Sequence, residues 1–270
     1  MKMLKIKNKA LFPGISIVLL SISLSSCVEV VELDLRSIAP QLVIEGKITD
    51  DSTQNVVKIS LTEDFQQKNV FPAITTAKVT IIDMTTGESE ELNQPAAGIY
   101  KIMKLKGVSG HSYQMKVDYN GKTYEANSKM PQKVLMQDLK YQEVIRFKSA
   151  IRMVAVYQDP KEETNYYRWA TIGNDKIRSR TYFVRSDIFN NGNLIEQVIE
   201  SGIDINAGDK ITIEMQCIDK QTYDYFFTLA RQQGQGLNSG AGANPTGNIL
   251  GGALGYFGAY TVEQKVAEIK

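Results

Sequence analysis

The sequence predicts a mainly β protein: two packed β-sandwich-like domains, the first immunoglobulin-like or transthyretin-like, with one amphipathic helix in the second. Three observations predict it. Apolar and polar residues alternate with period two almost everywhere from residue 41 onward, as half-buried strands require. Turn residues interrupt the alternation at short intervals, marking hairpins and loops. One segment, residues 219 to 233, breaks the rhythm with three- and four-residue spacing, the period of a helix face.

The chain begins with a different kind of segment. Lys2, Lys5, Lys7 and Lys9 precede an apolar stretch from Leu11 to Leu24. A helix needs about 20 apolar residues to cross hydrocarbon, so this stretch fits a secretory signal instead. It ends Leu24-Ser25-Ser26-Cys27, which resembles the bacterial lipobox. That resemblance implies cleavage before Cys27, a diacylglycerol on its sulfur and an acyl chain on its amine. Each buried methylene contributes about 0.8 kcal/mol, so two or three chains hold a protein stably on a membrane. Residues 1–26 are therefore expected to be a lipoprotein signal peptide and residues 27–39 a lipidated tether. Glu29, Glu32 and Asp34 make that tether acidic.

The first β-domain is expected over residues 40–131. "QLVIEGKIT" places Leu42, Ile44 and Gly46 on one face and Val43 and Glu45 on the other. "NVVKISLT", "AKVTIIDM" and "GIYKIMKL" continue the pattern. "SYQMKVDYNGKTYEANS" reads as a hairpin, because Asn120-Gly121 supplies the positive φ angles of a type I′ turn. Pro131 closes the domain, since proline removes a ladder donor.

The second domain is expected over residues 132–270. "AIRMVAVYQDP", "TNYYRWATI", "RTYFVRSDIF", "LIEQVIESG" and "DKITIEMQCI" supply strands, with "NNGN" as a turn. In residues 219–233, Tyr223, Phe226, Phe227 and Ala230 form the helix stripe, with Asp219 as N-cap and Gly234 as stop. Nine glycines between residues 234 and 258 rule out a regular helix there, at up to about 1 kcal/mol each. A glycine-rich loop, 234–252, is expected to lead into a strand, "GYFGAYTV", that closes a sandwich edge. Its large apolar residues, Ile249, Leu250, Leu254, Tyr256, Phe257 and Tyr260, gain by burial and predict order rather than a flexible linker.

Composition excludes several functions. Without residues 1–26 the chain keeps 27 basic and 30 acidic residues, a net charge of −3, so no nucleic-acid partner is expected. Cys27 and Cys217 are the only cysteines; with Cys27 acylated, no disulfide framework remains. Cys217 lies among Ile211, Ile213 and Met215 on one strand face and reads as a buried cysteine. His111, the single histidine, excludes multi-histidine metal sites and lies in a turn, where it reads as a surface residue. Gly240-x-Gly242 runs into Asn244-Pro245 and is no phosphate loop. "DINAGD" at 204–209 lacks the third oxygen ligand of a calcium loop and reads as a β-turn. Glu162 and Glu163 are adjacent in a loop and read as a solvated face. No catalytic residue, metal or cofactor is expected.

Five residues are candidate ligand or partner contacts: Tyr167 and Trp169 on one face of "NYYRWA", and Asn248, Tyr256 and Phe257 in the C-terminal segment. An exposed aromatic pair stacks on sugars, whereas a lone tryptophan in a β-domain more often fills the core. The order "SSCVEVVELDL…PQLVIEGKITD", "YYRW", "SDIFNNGN" and "NILGGALGYFGAY" resembles the Bacteroidota lipoprotein family catalogued as domain of unknown function 4249. The resemblance covers nearly all of the chain after Cys27 and carries over no catalytic residue. It implies a non-enzymatic outer-membrane lipoprotein, often encoded beside TonB-dependent transporters, and hence an accessory role in nutrient import. A free-standing surface module for glycan or peptide is the alternative, and an envelope hydrolase a third.

Overall fold

The computed structural model of the chain describes residues 39–63, 71–145, 149–174, 181–233 and 244–270. The expected signal peptide, most of the tether and residues 234–243 of the glycine-rich loop lie outside the described residues. Residues 39–270 form one compact unit, mainly β with one α-helix among the described residues.

The first half contributes β1 (Leu42–Thr49), β2 (Val56–Leu61), β3 (Lys78–Asp83), β4 (Ser89–Glu91), β5 (Asn93–Ala96), β6 (Ile99–Lys101), β7 (Ser112–Tyr119) and β8 (Lys122–Lys129). The second contributes β9 (Met136–Ile145), β10 (Ser149–Gln158), β11 (Tyr166–Ile172), β12 (Phe183–Ser186), β13 (Leu194–Ile199) and β14 (Lys210–Ile218). Helix α1 (Lys220–Gln233) and strand β15 (Leu254–Glu268) complete the unit. The β7–β8 hairpin turns at Asn120 (φ 49°) and Gly121 (φ 72°), as the Asn-Gly signal requires.

The strands form a four-stranded sheet β4-β3-β7-β8, a three-stranded sheet β13-β10-β9, and an eight-stranded sheet β12-β11-β14-β15-β1-β2-β6-β5. The last spans both halves of the chain. "GYFGAY" was expected at a sheet edge; it lies instead at the centre of this sheet. From Leu254 to Tyr260, β15 pairs in parallel with β1. From Thr261 to Glu268 it pairs antiparallel with β14. One strand therefore stitches two half-sheets together.

The glycines of this strand follow from that position. Gly255 adopts φ +103°, and a Cβ there would fall 2.0 Å from the Ile44 carbonyl oxygen; only glycine permits both. Gly258 leaves room for α1, since a Cβ would meet Thr222 Oγ1 at 2.9 Å.

Two hydrophobic cores lie on one side of the long sheet. The first gathers Ile44, Ile48, Ile59, Ile81, Met115 and Met130 with Phe257 and Ala259 of β15. The second gathers Met153, Tyr157, Tyr167, Trp169, Phe183, Ile213, Met215 and Cys217. The second core is drawn wholly from residues after 132, whereas the first also takes Ile249, Phe257 and Ala259 from beyond it, and the sheet crosses between them. A third cluster lies under α1: Tyr225 and Phe226 against Tyr256, Tyr260, Val262 and Val184. The helix stripe is shifted from the expected one. Tyr225 and Phe226 are buried, whereas Phe227 is exposed and stacks on Tyr223. Asp219 caps the helix as its sequence position predicts, accepting from Thr222 N at 2.8 Å.

Candidate functional site

The five candidate contacts do not form one exposed surface. Tyr167 and Trp169 are each 1% exposed, packed at 5.7 Å between ring centroids and walled by Tyr157 and Phe183. Sugar stacking on this pair is closed off by burial, and the core reading of Trp169 holds. Phe257 is fully buried in the first core. Asn248 is a clasp: its Oδ1 accepts from Phe257 N at 2.9 Å, and its Nδ2 donates to Phe257 O at 2.8 Å. That paired bond fixes the entry to β15. Tyr256 alone borders a cleft.

That cleft, about 250 Å³, opens on the outer face of the long sheet. Glu45 and Lys47 of β1, Lys58 of β2, Arg168 of β11, and Tyr256 and Tyr260 of β15 line it. Beside it runs a buried polar chain. Arg168 Nη1 donates to Gln216 Oε1 at 2.9 Å. Gln216 Nε2 donates to Glu214 Oε1 at 2.5 Å. Gln264 Nε2 donates to Glu214 Oε2 at 2.9 Å. Glu214 and Gln216 are fully buried, and Arg168 stacks 4.0 Å over the Phe226 ring. Alternation in "ITIEMQC" puts Glu214 and Gln216 on the polar face, which sequence reads as solvent-facing. The tertiary fold covers that face, so the polar chain was invisible to a period-two reading.

A second polar cluster lies at one end of the second core. Tyr167 OH donates to Asp159 Oδ1 at 2.5 Å, and Gly192 N donates to Asp159 Oδ2 at 3.0 Å. Asn165 N donates to Asp187 Oδ2 at 2.8 Å. Asp159 is 1% and Asp187 4% exposed. Burial, together with the neighbouring Asp159 charge, raises the Asp187 carboxyl above its ordinary range against the opposing Asn165 N–H bond. Burial and the Asp159 hydrogen bond likewise push the Tyr167 phenol far up. This clasp carries the loop 187–193, whose Ile188 and Phe189 stand 59% and 94% exposed.

His111 is partly buried rather than a surface residue. Its Nδ1 lies 2.8 Å from Asp83 Oδ2, and its ring packs near Tyr113. Among the described residues no hydroxyl is hydrogen-bonded to its other nitrogen. Cys217 is buried as expected; burial pushes its thiol up to about 11, far from a reactive thiolate. "DINAGD" is a turn, with Gly208 at φ 88° and Asn206 N bonded to Asp209 Oδ2 at 2.8 Å. Among the described residues no three His, Cys, Asp or Glu side chains group as a metal site, and no helix is long and apolar enough to cross a membrane.

These features define a mainly β protein of two cores under one shared sheet, with charge buried at two places in its second half. The chain belongs to the DUF4249 family, a domain of unknown function whose family model matches residues 28–266. No curated protein matches the chain. Among solved structures it is similar to the two fibronectin type-III domain segment from chicken tenascin. That match has 9% identity over 66% of this chain and 90% of that one, with a TM-score of 0.22. So low a score adds nothing to the fold, which rests on the strand order above.

Proposed function

We propose that this protein is a non-enzymatic, lipid-anchored outer-membrane protein of the Bacteroidota type, acting as an accessory subunit of a TonB-dependent nutrient transporter. The observation that carries the reading is the junction at Cys27. The lipobox ends there, and the family match begins at residue 28, so the family's domain follows directly on the lipid acceptor. The first strand starts at Leu42, leaving a short acidic tether between membrane and fold. An accessory subunit also needs a protein contact. We place it at Ile188 and Phe189, which stand exposed on the 187–193 loop, since large apolar and aromatic side chains that fill a partner's pocket anchor an interface.

Tagged full-length protein, purified from outer membranes in mild detergent, tests this. A TonB-dependent transporter should co-elute, and Cys27→Ala should leave the protein unprocessed or soluble. A Cys27→Ala protein still processed and still held in outer-membrane fractions contradicts the anchor. Full-length protein that elutes without any transporter contradicts the accessory role.

A second reading, a surface module for glycan or peptide, is favoured by the charged cleft at Lys58, Arg168 and Tyr256. Binding of a polar glycan or peptide that is lost in Lys58→Glu, without a transporter in the eluate, would favour it.

A further inference from the structure

Three cations line the cleft on the outer face of the long sheet: Lys47 of β1, Lys58 of β2 and Arg168 of β11. One acid, Glu45, shares the lining and stands opposite Lys58 in the β1–β2 ladder. It offsets one of the three charges. Among the described residues no ion pair includes Lys58 or Arg168.

The polar chain beside the cleft holds these cations in place. It runs further than Arg168, Gln216 and Glu214. Lys47 Nζ donates to Gln54 Oε1 at 3.2 Å, and Gln54 Nε2 donates to Glu214 Oε2 at 3.3 Å. Lys47 and Arg168 thus each hang on a glutamine oxygen, and both glutamines give their amide to the same buried carboxylate. In this chain a neutral amide stands between the acid and each cation. Arg168 is fixed further by stacking, 4.0 Å over the Phe226 ring and 5.8 Å over that of Tyr182. Its Nε is buried without an acceptor, so the guanidinium is short of partners. A guanidinium held this way is preorganised for an incoming carboxylate: its planar fork matches one bidentately, and little side-chain freedom is left to lose.

We propose that this cleft binds a carboxylate of an acidic peptide segment, with Arg168 and Lys58 as the recognising cations and Lys47 beside them. The sign follows from the lining, three cations to one acid; with the buried Glu214 counted as well, cations still outnumber acids. The class follows from size and ring geometry. At about 250 Å³ the cleft is smaller than the roughly 300–1,000 Å³ that drug-sized ligands fill, and suits one acidic side chain or a chain end. Tyr256 and Tyr260 are 9% and 1% exposed. Tyr256 packs its ring on Tyr225 and Phe226, at 4.7 and 4.9 Å between centroids. No open ring face is left in the cleft for a sugar to stack on. The inference rests on the surface-module reading, whose ligand class it narrows, and needs no transporter.

Titration calorimetry of the full-length protein in detergent at low salt tests this. The probes are a Gly-Ser peptide carrying glutamates and an amidated end, its glutamine counterpart, a Gly-Ser peptide whose only carboxylate is its C-terminus, and maltoheptaose as a neutral glycan. The glutamate peptide should bind at least about tenfold more tightly than its glutamine counterpart, and less tightly as salt rises. Preference for the free C-terminus over the glutamates supports the same site and assigns it to a chain end. Lys58→Glu, on an exposed side chain, should weaken binding about tenfold or more at an unchanged melting temperature. Arg168→Lys keeps the charge but loses the fork, and should weaken it about fivefold. Equal binding of the glutamate and glutamine peptides, or binding of maltoheptaose alone, overturns the proposal and leaves the surface-module reading standing. No binding of any probe at about 1 mM, the weak end of specific affinities, overturns both.

Discussion

In the N-terminal half, buried carboxylates are satisfied atom by atom. Glu90 Oε1 accepts from Met103 N at 2.8 Å, and its Oε2 accepts from Lys104 N and Leu105 N at 2.9 and 2.8 Å. Asp83 Oδ1 accepts from Thr85 N and Thr86 N, and its Oδ2 is paired with His111. In the C-terminal half the pattern stops short. Asp187 keeps one oxygen without a donor, and Arg168 Nε is buried without a partner. A buried charge in the first half closes a loop and is finished. In the second half Glu214 and Asp159 are satisfied at both oxygens, and Asp187 is the exception.

The contrast has an electrostatic signature. Burial pushes the Asp83 carboxyl up, but the hydrogen bonds from His111, Thr85 and Thr86 outweigh it and leave it below its ordinary value. Asp187 is held above its ordinary value. By linkage the two act in opposite directions. Asp83 adds stability above its unfolded pKa of about 3.9, and that stability is lost as pH falls through the lower folded value. Asp187 adds stability below that pKa, lost as pH rises through the higher folded value.

Breaking the second core should have the largest effect. Trp169→Ala removes a fully buried indole packed on Tyr157, Tyr167 and Phe183 and should cost about 3–5 kcal/mol, measured by denaturant unfolding. Freely quenchable, red-shifted tryptophan emission from the native protein would contradict that burial.

Glu90→Ala comes next. It strands three backbone donors in the first half and should cost about 3 kcal/mol. A loss no larger than a surface substitution would show those bonds are not made.

Smaller, and sharper for the comparison, is the pair Asp83→Asn and Asp187→Asn at neutral pH. The first should destabilise by about 1–2 kcal/mol; the second should be neutral or stabilising, because an amide relieves the carboxylate repulsion. Equal losses would erase the distinction between the halves. In the wild type, stability should decline as pH rises past the raised Asp187 pKa, and Asp187→Asn should flatten that slope.

Smallest in stability is Phe189→Asp. At 94% exposure it should shift unfolding by no more than about 0.5 kcal/mol while reducing transporter recovery. A large loss of stability would mean the tip packs on its own fold.

Much of the fold was legible because half-buried strands print their period. The β7–β8 hairpin, the Asp219 cap, the core positions of Trp169 and Cys217 and the turn at 204–209 all follow from local chemistry. The central position of β15 did not, since a strand pairing with β1 in parallel and with β14 antiparallel is decided by contacts more than 200 residues apart in part. The shifted helix stripe shows the same limit: Phe227 has the spacing of a buried residue, but the sheet lies under Tyr225 and Phe226. Of the candidate contacts, Tyr256 reaches a cleft, whereas Tyr167, Trp169 and Phe257 are core and Asn248 is a clasp. Asp159 and Asp187 read as ordinary turn residues beside Pro160 and "IFNNGN", because their juxtaposition exists only once β11 and β12 pair.

Denaturant unfolding of the wild type, Asp83→Asn and Asp187→Asn from acid to neutral pH tests the difference between the halves most directly. The account predicts that at neutral pH Asp83→Asn destabilises whereas Asp187→Asn is neutral or stabilising, and that Asp187→Asn removes the wild type's loss of stability with rising pH. Equal losses in the two variants, or a pH profile that Asp187→Asn leaves unchanged, would contradict it.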